Sequence, residues 1–106
     1  MKIEVLYVLD CPHYAAAMAE LKGVLAVEGI SDQVSEILVA DPGMAESLKF
    51  RGSPTILING RDIAGESDVQ HSALSCRLYP GEKQPGVPPT EMIQRAVREA
   101  MRGERP

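Results

Sequence analysis

Cys11 stands where two kinds of pattern meet. An apolar run ends at Leu9-Asp10, and an amphipathic one begins after Pro12-His13-Tyr14. A cysteine at the point where a strand hands over to a helix meets unpaired backbone N–H groups and the positive end of the helix dipole. Both favour the thiolate. In such settings a thiol pKa falls from about 8.5 into the range of roughly 3.5–7.5. His13, if protonated, adds to that field; its plainer reading is a solvated first-turn residue. Tyr14 also has two readings, a ring packed on the first strand or a hydroxyl that bonds a ligand or the Cys11 sulfur. An inert buried thiol is the alternative for Cys11 itself, since free cysteine is among the most buried residue types. Its place at a helix start favours reactivity. Downstream, Gly52-Ser53-Pro54-Thr55 precedes a second apolar run, where Pro54 fixes a turn and withholds a donor from a strand end.

The chain has one other cysteine, Cys76. It is either a small core residue under a long loop or the second sulfur for Cys11. Leu74, Leu78 and Tyr79 surround it with an apolar island that is left in water unless it packs back onto the domain. Such docking is one way to bring Cys76 near the N-terminus of the first helix, and a disulfide then needs Cα atoms about 4.4–6.8 Å apart. His13 and His71 complete a possible four-ligand set. Its spacing, Cys-x-His and His-x4-Cys, is a poor match to the close pairs that hold zinc, so no metal is expected. There is no glycine-rich phosphate loop, and serine, histidine and acid residues are scattered. A nucleotide cofactor and serine-hydrolase chemistry are both excluded.

Length and composition limit the partners. The 106 residues suit one domain, with about 65% of the unfolded chain's surface buried. A net charge of −4 argues against nucleic acid, whose phosphates need a basic surface. The one basic cluster, Arg95, Arg98, Arg102 and Arg105, falls in or just past a C-terminal helix, where cations complement the dipole. Ile3 to Leu9 is too short for the apolar core of a signal peptide and contains Glu4. No stretch approaches the length of a membrane span. The expectation is a cytoplasmic protein whose cysteines are reduced and reactive rather than structurally bridged.

The elements that position these residues follow from periodicity. Residues 2–9, rich in Ile, Val and Tyr, read as a central strand covered on both faces. Pro12 suits the first position of a helix, with apolar residues at 14, 17, 18, 21, 24 and 25 and Gly29 as its stop. Gly23 weakens that helix by about 1 kcal/mol relative to alanine. Val34 to Val39 forms a second strand. Asp41-Pro42 opens a short helix with Met44 and Leu48 facing inward, ended by Gly52. Asn59-Gly60, between Thr55-Ile56-Leu57-Ile58 and Arg61-Asp62-Ile63-Ala64, is a hairpin signal, because a type I′ turn needs positive φ at both positions. Residues 65–89, about 25 in number, form a connection long enough to suggest a functional loop. Thr90 caps a last helix with Met92, Ile93, Ala96, Val97 and Ala100 on one side. The order β-α-β-α-β-β-α implies an α/β fold, a four-stranded mixed sheet with helices on both faces.

Cys-Pro at a helix start, followed by Ser-Pro before a hairpin, resembles the thioredoxin-like fold in its short, glutaredoxin-type form. The likeness covers roughly residues 1–64 and the final helix, and implies one thioredoxin-like domain over 1–106. More narrowly, Gly52-Ser53-Pro54-Thr55, Asn59-Gly60-Arg61-Asp62 and Ser75-Cys76-Arg77-Leu78-Tyr79 resemble small bacterial thioredoxin-like proteins often labelled as related to alkylmercury lyase. The resemblance implies that Cys11 is the nucleophile and that Ser53–Pro54 is a cis bond facing it. It also implies that Ser53 and Thr55 flank the backbone that holds an extended substrate. A histidine at position 13 resembles the strongly oxidising periplasmic members. Position 14 departs from the pattern: the family typically reads Cys-Pro-x-Cys, and Tyr14 cannot attack a mixed disulfide.

Three functions remain. In the first, Cys11 attacks a disulfide or oxidised thiol, His13, Tyr14, Ser53, Pro54 and Thr55 contact the substrate, and Cys76, glutathione or another protein resolves the product. In the second, the two thiolates hold a soft ion such as mercury or Cu(I), with Asp10 the nearest proton donor for organomercurial cleavage. In the third, the groove beside Pro54 binds a partner peptide and the cysteines are incidental.

Overall fold

The computed structural model describes residues 1–48, 50, 52–64 and 87–103. Along the chain these form β1 (Ile3–Tyr7), α1 (Tyr14–Val27), β2 (Val34–Leu38), α2 (Pro42–Ser47), β3 (Thr55–Ile58), β4 (Arg61–Asp62) and α3 (Thr90–Gly103). The fold is α/β. Its four strands run in the order β2-β1-β3-β4. β1 pairs with β2 in parallel, Ile3 opposite Val34, and with β3 in antiparallel, Ile3 opposite Ile58. β3 and β4 close the hairpin, with Asn59 at φ 52° and Gly60 at φ 82° as the turn chemistry requires.

The period of two in β1 divides the core. Ile3 and Val5 point to one face, where Ile56 and Ile58 of β3 meet Leu21, Val24 and Leu25 of α1 and Ile93 and Val97 of α3. Leu6 points to the other face and packs with Val39, Ala45 and Phe50. Helices therefore cover both faces: α1 and α3 on one, α2 on the other. Each fully buried Ile, Leu or Phe contributes roughly 1.5–3 kcal/mol of transfer free energy.

Local signals account for two helix ends. Gly29 at φ 72° follows the C-cap Glu28, and Ile30 N–H reaches back to Leu25 O at 2.8 Å while Gly29 N–H meets Ala26 O at 3.2 Å. This pair of bonds is a Schellman stop. Asp41 caps α2, its Oδ1 accepting from Met44 N–H at 2.8 Å, which stabilises so short a helix by about 1 kcal/mol.

Three helix boundaries and one inward face differ from expectation. Pro12 is not the first helical residue, because α1 begins at Tyr14 with His13 as N-cap. α2 ends at Ser47 rather than at Gly52. Phe50, fully buried, turns inward there, and its N–H bonds Ala45 O at 2.8 Å. Leu48 is exposed, so Met44, Ala45 and Phe50 form the inward face instead. Thr90 does not cap α3 but lies inside it, its hydroxyl donating to Glu20 of α1 at 2.6 Å. The carbonyl of Pro89 takes the first N–H groups, from Met92 and Ile93.

α3 is tied to α1 a second time at its middle. Gln94 and Arg98 both donate to Glu28 Oε2, at 3.2 Å each. The Arg98 bond, then the Gln94 bond, hold the Glu28 carboxyl below its ordinary value. Glu28 closes α1, where a negative charge opposes the helix dipole, and the α3 donors offset that conflict. Of the long connection expected at 65–89, residues 65–86 lie outside the described residues, as does Arg105. Among the described residues no helix is long and apolar enough to cross a membrane.

Candidate functional site

Parallel pairing of β1 with β2 and antiparallel pairing with β3 bring three segments to one end of the sheet. They are the residues after Tyr7, the residues after Leu38 and the residues before Thr55. Cys11, His13, Tyr14, Ser53 and Pro54 are therefore placed together by topology.

Two successive tight turns carry Cys11. Its N–H donates to Val8 O at 3.3 Å, and its own carbonyl accepts from Tyr14 N–H at 3.4 Å. The first turn needs a left-handed residue, and Asp10 supplies it at φ 61°, a conformation that Asp tolerates better than most side chains. In the second turn Pro12 occupies the second position, where its fixed φ is pre-set. Leu9, 74% exposed, and Asp10 project into solvent beside it. Cys11 is a free thiol of intermediate burial.

Cys11 thus stands one tight turn ahead of the helix, not on its first residue. His13 is the N-cap, its carbonyl accepting from Ala17 N–H at 3.0 Å while its side chain makes no capping bond. Tyr14 packs its ring on Tyr7 of β1, with centroids 4.1 Å apart and planes 26° from parallel. Its hydroxyl oxygen is buried and has no hydrogen-bond partner among the described residues, the Cys11 sulfur included. Of its two readings, packing on the first strand describes its position.

The Ser53–Pro54 bond is cis, as expected. Ser53, Pro54 and Thr55 are all buried. The two hydroxyls are engaged by backbone: Ser53 Oγ accepts from Val8 N–H at 3.0 Å, and Thr55 Oγ1 donates to Gly52 O at 2.6 Å. Gly52 takes φ 116°, which glycine adopts without the penalty a Cβ brings. Of these residues, expected to contact substrate, Ser53 holds Val8 beside the cysteine turn and Thr55 holds Gly52. Val8 is the junction, since its N–H is held by Ser53 and its carbonyl holds Cys11. No sequence pattern marked Val8 or the Ser53 bond. A small hydroxyl residue next to a proline at a sheet end is the signal that could have done so.

Cys76 and His71 lie outside the described residues, and with them the alternative in which Cys76 supplies the second sulfur for Cys11. Among the described residues no three His, Cys, Asp or Glu side chains group as metal ligands. Compared with protein-family models, with curated proteins and with solved structures, the chain matches none.

Proposed function

We propose that this chain is a thioredoxin-like thiol protein that exchanges disulfides through Cys11. The observation that carries the reading is the double anchorage of Val8, which fastens a solvent-accessible cysteine turn to the Ser53–cis-Pro54 segment. The Cys11 thiolate attacks one sulfur of a disulfide, and the S–S bond breaks. The departing thiolate takes a proton from solvent, leaving Cys11 in a mixed disulfide. A second thiol, from Cys76, glutathione or another protein, attacks that bond and regenerates Cys11, because position 14 has no sulfur. Contact with substrate falls to the exposed Leu9-Asp10 and to half-buried His13, with Ser53, Pro54 and Thr55 supporting the turn from behind. Such chemistry suits a reducing, cytoplasmic compartment.

The test is treatment of the reduced protein with glutathione disulfide, read by intact-mass and peptide-mass spectrometry. A Cys76→Ser variant is expected to accumulate the adduct on Cys11, and a Cys11→Ser variant to form none there. Absence of an adduct at Cys11 in the Cys76→Ser variant overturns the reading. Joint protection of both thiols by titrated mercury or Cu(I) would instead assign a soft-metal site.

A further inference from the structure

β2 ends the sheet on one side, and among the described residues its outer edge is an unused row of backbone donors and acceptors. Val39 N–H donates to Tyr7 O at 2.8 Å, so Val39 points toward β1. Along a strand successive residues alternate in direction, so Ile37 and Ser35 also face β1 while Val34, Glu36 and Leu38 face outward. Three outward N–H and three outward C=O groups at this spacing are matched by an extended chain and by little else. On the α1 side the same strand borders an open groove of about 370 Å³. Met18 and Leu25 of α1 and Val34 of β2 supply its apolar lining. Side chains of an added strand would alternate into this groove.

Charge selects the occupant. Three ionisable residues line the groove, Lys22, Asp32 and Glu36. The Asp32 carboxylate is already paired with the Met1 α-amino group at 2.7 Å. Lys22 stands on the α1 wall, whereas Glu36 lies at the centre of β2, where its side chain neighbours that of the residue directly opposite on an incoming strand. A second copy docking by a two-fold centred there would set Glu36 against Glu36. Like charges directly opposite destabilise a strand pair, as an edge protected against self-association requires. A basic residue at the same position removes the conflict and adds attraction.

We propose that the β2 edge is a strand-addition site for an extended peptide segment with a Lys or Arg opposite Glu36 and apolar residues opposite Val34 and Leu38. The proposal is independent of the thiol chemistry at Cys11. The probe is a blocked heptapeptide alternating threonine and valine with lysine at its centre, titrated to millimolar concentration and followed by amide chemical shifts. The expected result is perturbation confined to 34–38, with slowed exchange of the Glu36 and Leu38 amides. Replacing the central lysine by glutamate should weaken binding about five-fold. Glu36→Gln should remove that discrimination. Glu36→Pro deletes the carboxylate and, of the backbone groups, only an outward N–H, a change edge strands tolerate; it should abolish binding of both peptides, where Glu36→Gln only equalises them, while the thermal midpoint stays near wild type. No perturbation at millimolar peptide, shifts centred on 8–14, equal binding of the two peptides, or concentration-dependent dimerisation through β2 would each overturn the proposal.

Discussion

Ser53→Ala isolates the bond that joins the cysteine turn to the cis-proline segment. The substitution removes one oxygen from a fully buried side chain and leaves Val8 N–H without its acceptor at 3.0 Å. A buried donor left unpaired costs about 1–3 kcal/mol. Val8 is itself only part-buried, and water can reach its amide more easily than a core one. The expected loss is therefore in the lower part of that range, about 1–2 kcal/mol. Unfolding entropy near 2.1 cal/mol/K per residue puts the drop in thermal midpoint at roughly 4–9 °C for a chain of this size. Urea denaturation should show a lower midpoint with the slope unchanged, because little buried surface is altered. The diagnostic reading is local. Hydrogen exchange at the Val8 amide should accelerate more than at Ile3 or Val5, and alkylation of Cys11 should change with it. A loss under about 0.3 kcal/mol, within the noise expected of a neutral surface change, would refute the claim that Ser53 holds this turn.

Further substitutions test other parts of the structure. Gly23 sits exposed in the middle of α1 with no atom within 4 Å of where a Cβ would stand, so Gly23→Ala should stabilise by about 0.5–1 kcal/mol in the same urea assay. Tyr14→Phe removes a buried hydroxyl with no partner among the described residues and should leave stability unchanged or raise it, whereas a clear loss would show that the hydroxyl is bonded. Arg98→Met should remove a pH-dependent contribution. Glu28 titrates below its ordinary 4.5 in the folded state, so its stabilisation is full above that value and disappears as pH falls through the lower folded one. The wild-type advantage over Arg98→Met should accordingly shrink as acid is added, measured by urea midpoint across the acid range.

The elements that the sequence made legible are those governed by short-range chemistry. The apolar run of β1, Gly29 after α1, Asp41-Pro42 before α2 and Asn59-Gly60 in the hairpin each act through a backbone requirement within a few residues. The remaining boundaries depend on distant partners. Thr90 carries a good capping hydroxyl, but Glu20, 70 residues away, engages it. Gly52 looked like the end of α2 because nothing nearby announces that Phe50 will fill the space under Leu6 and Val39. Pro12 suits a helix start equally well as the second residue of a tight turn, and the Tyr7–Tyr14 stack accompanies the later start. The site followed the same division. The sequence marked Cys11 and Pro54, while the Val8 junction between them depends on a bond across 45 residues.

Tyr14 is a packing residue as well as a side chain that carries no sulfur. Its ring lies on Tyr7 and against the cluster that joins α1, α3 and the sheet, so the side chain helps set where α1 begins. Placing a thiol there by Tyr14→Cys would remove that aromatic contact from a half-buried ring, a loss below the several kcal/mol of a core truncation. The large ring and the turn conformation of Cys11 are thus parts of one arrangement, in which position 14 is given over to packing. Under the proposed thiol chemistry this division has a mechanistic consequence. The resolving thiol must arrive from outside the motif, and a mixed disulfide on Cys11 persists until it does. The lifetime of that adduct, long in Cys76→Ser and shortened by added glutathione, is the property in which a single-cysteine turn differs from a dithiol one.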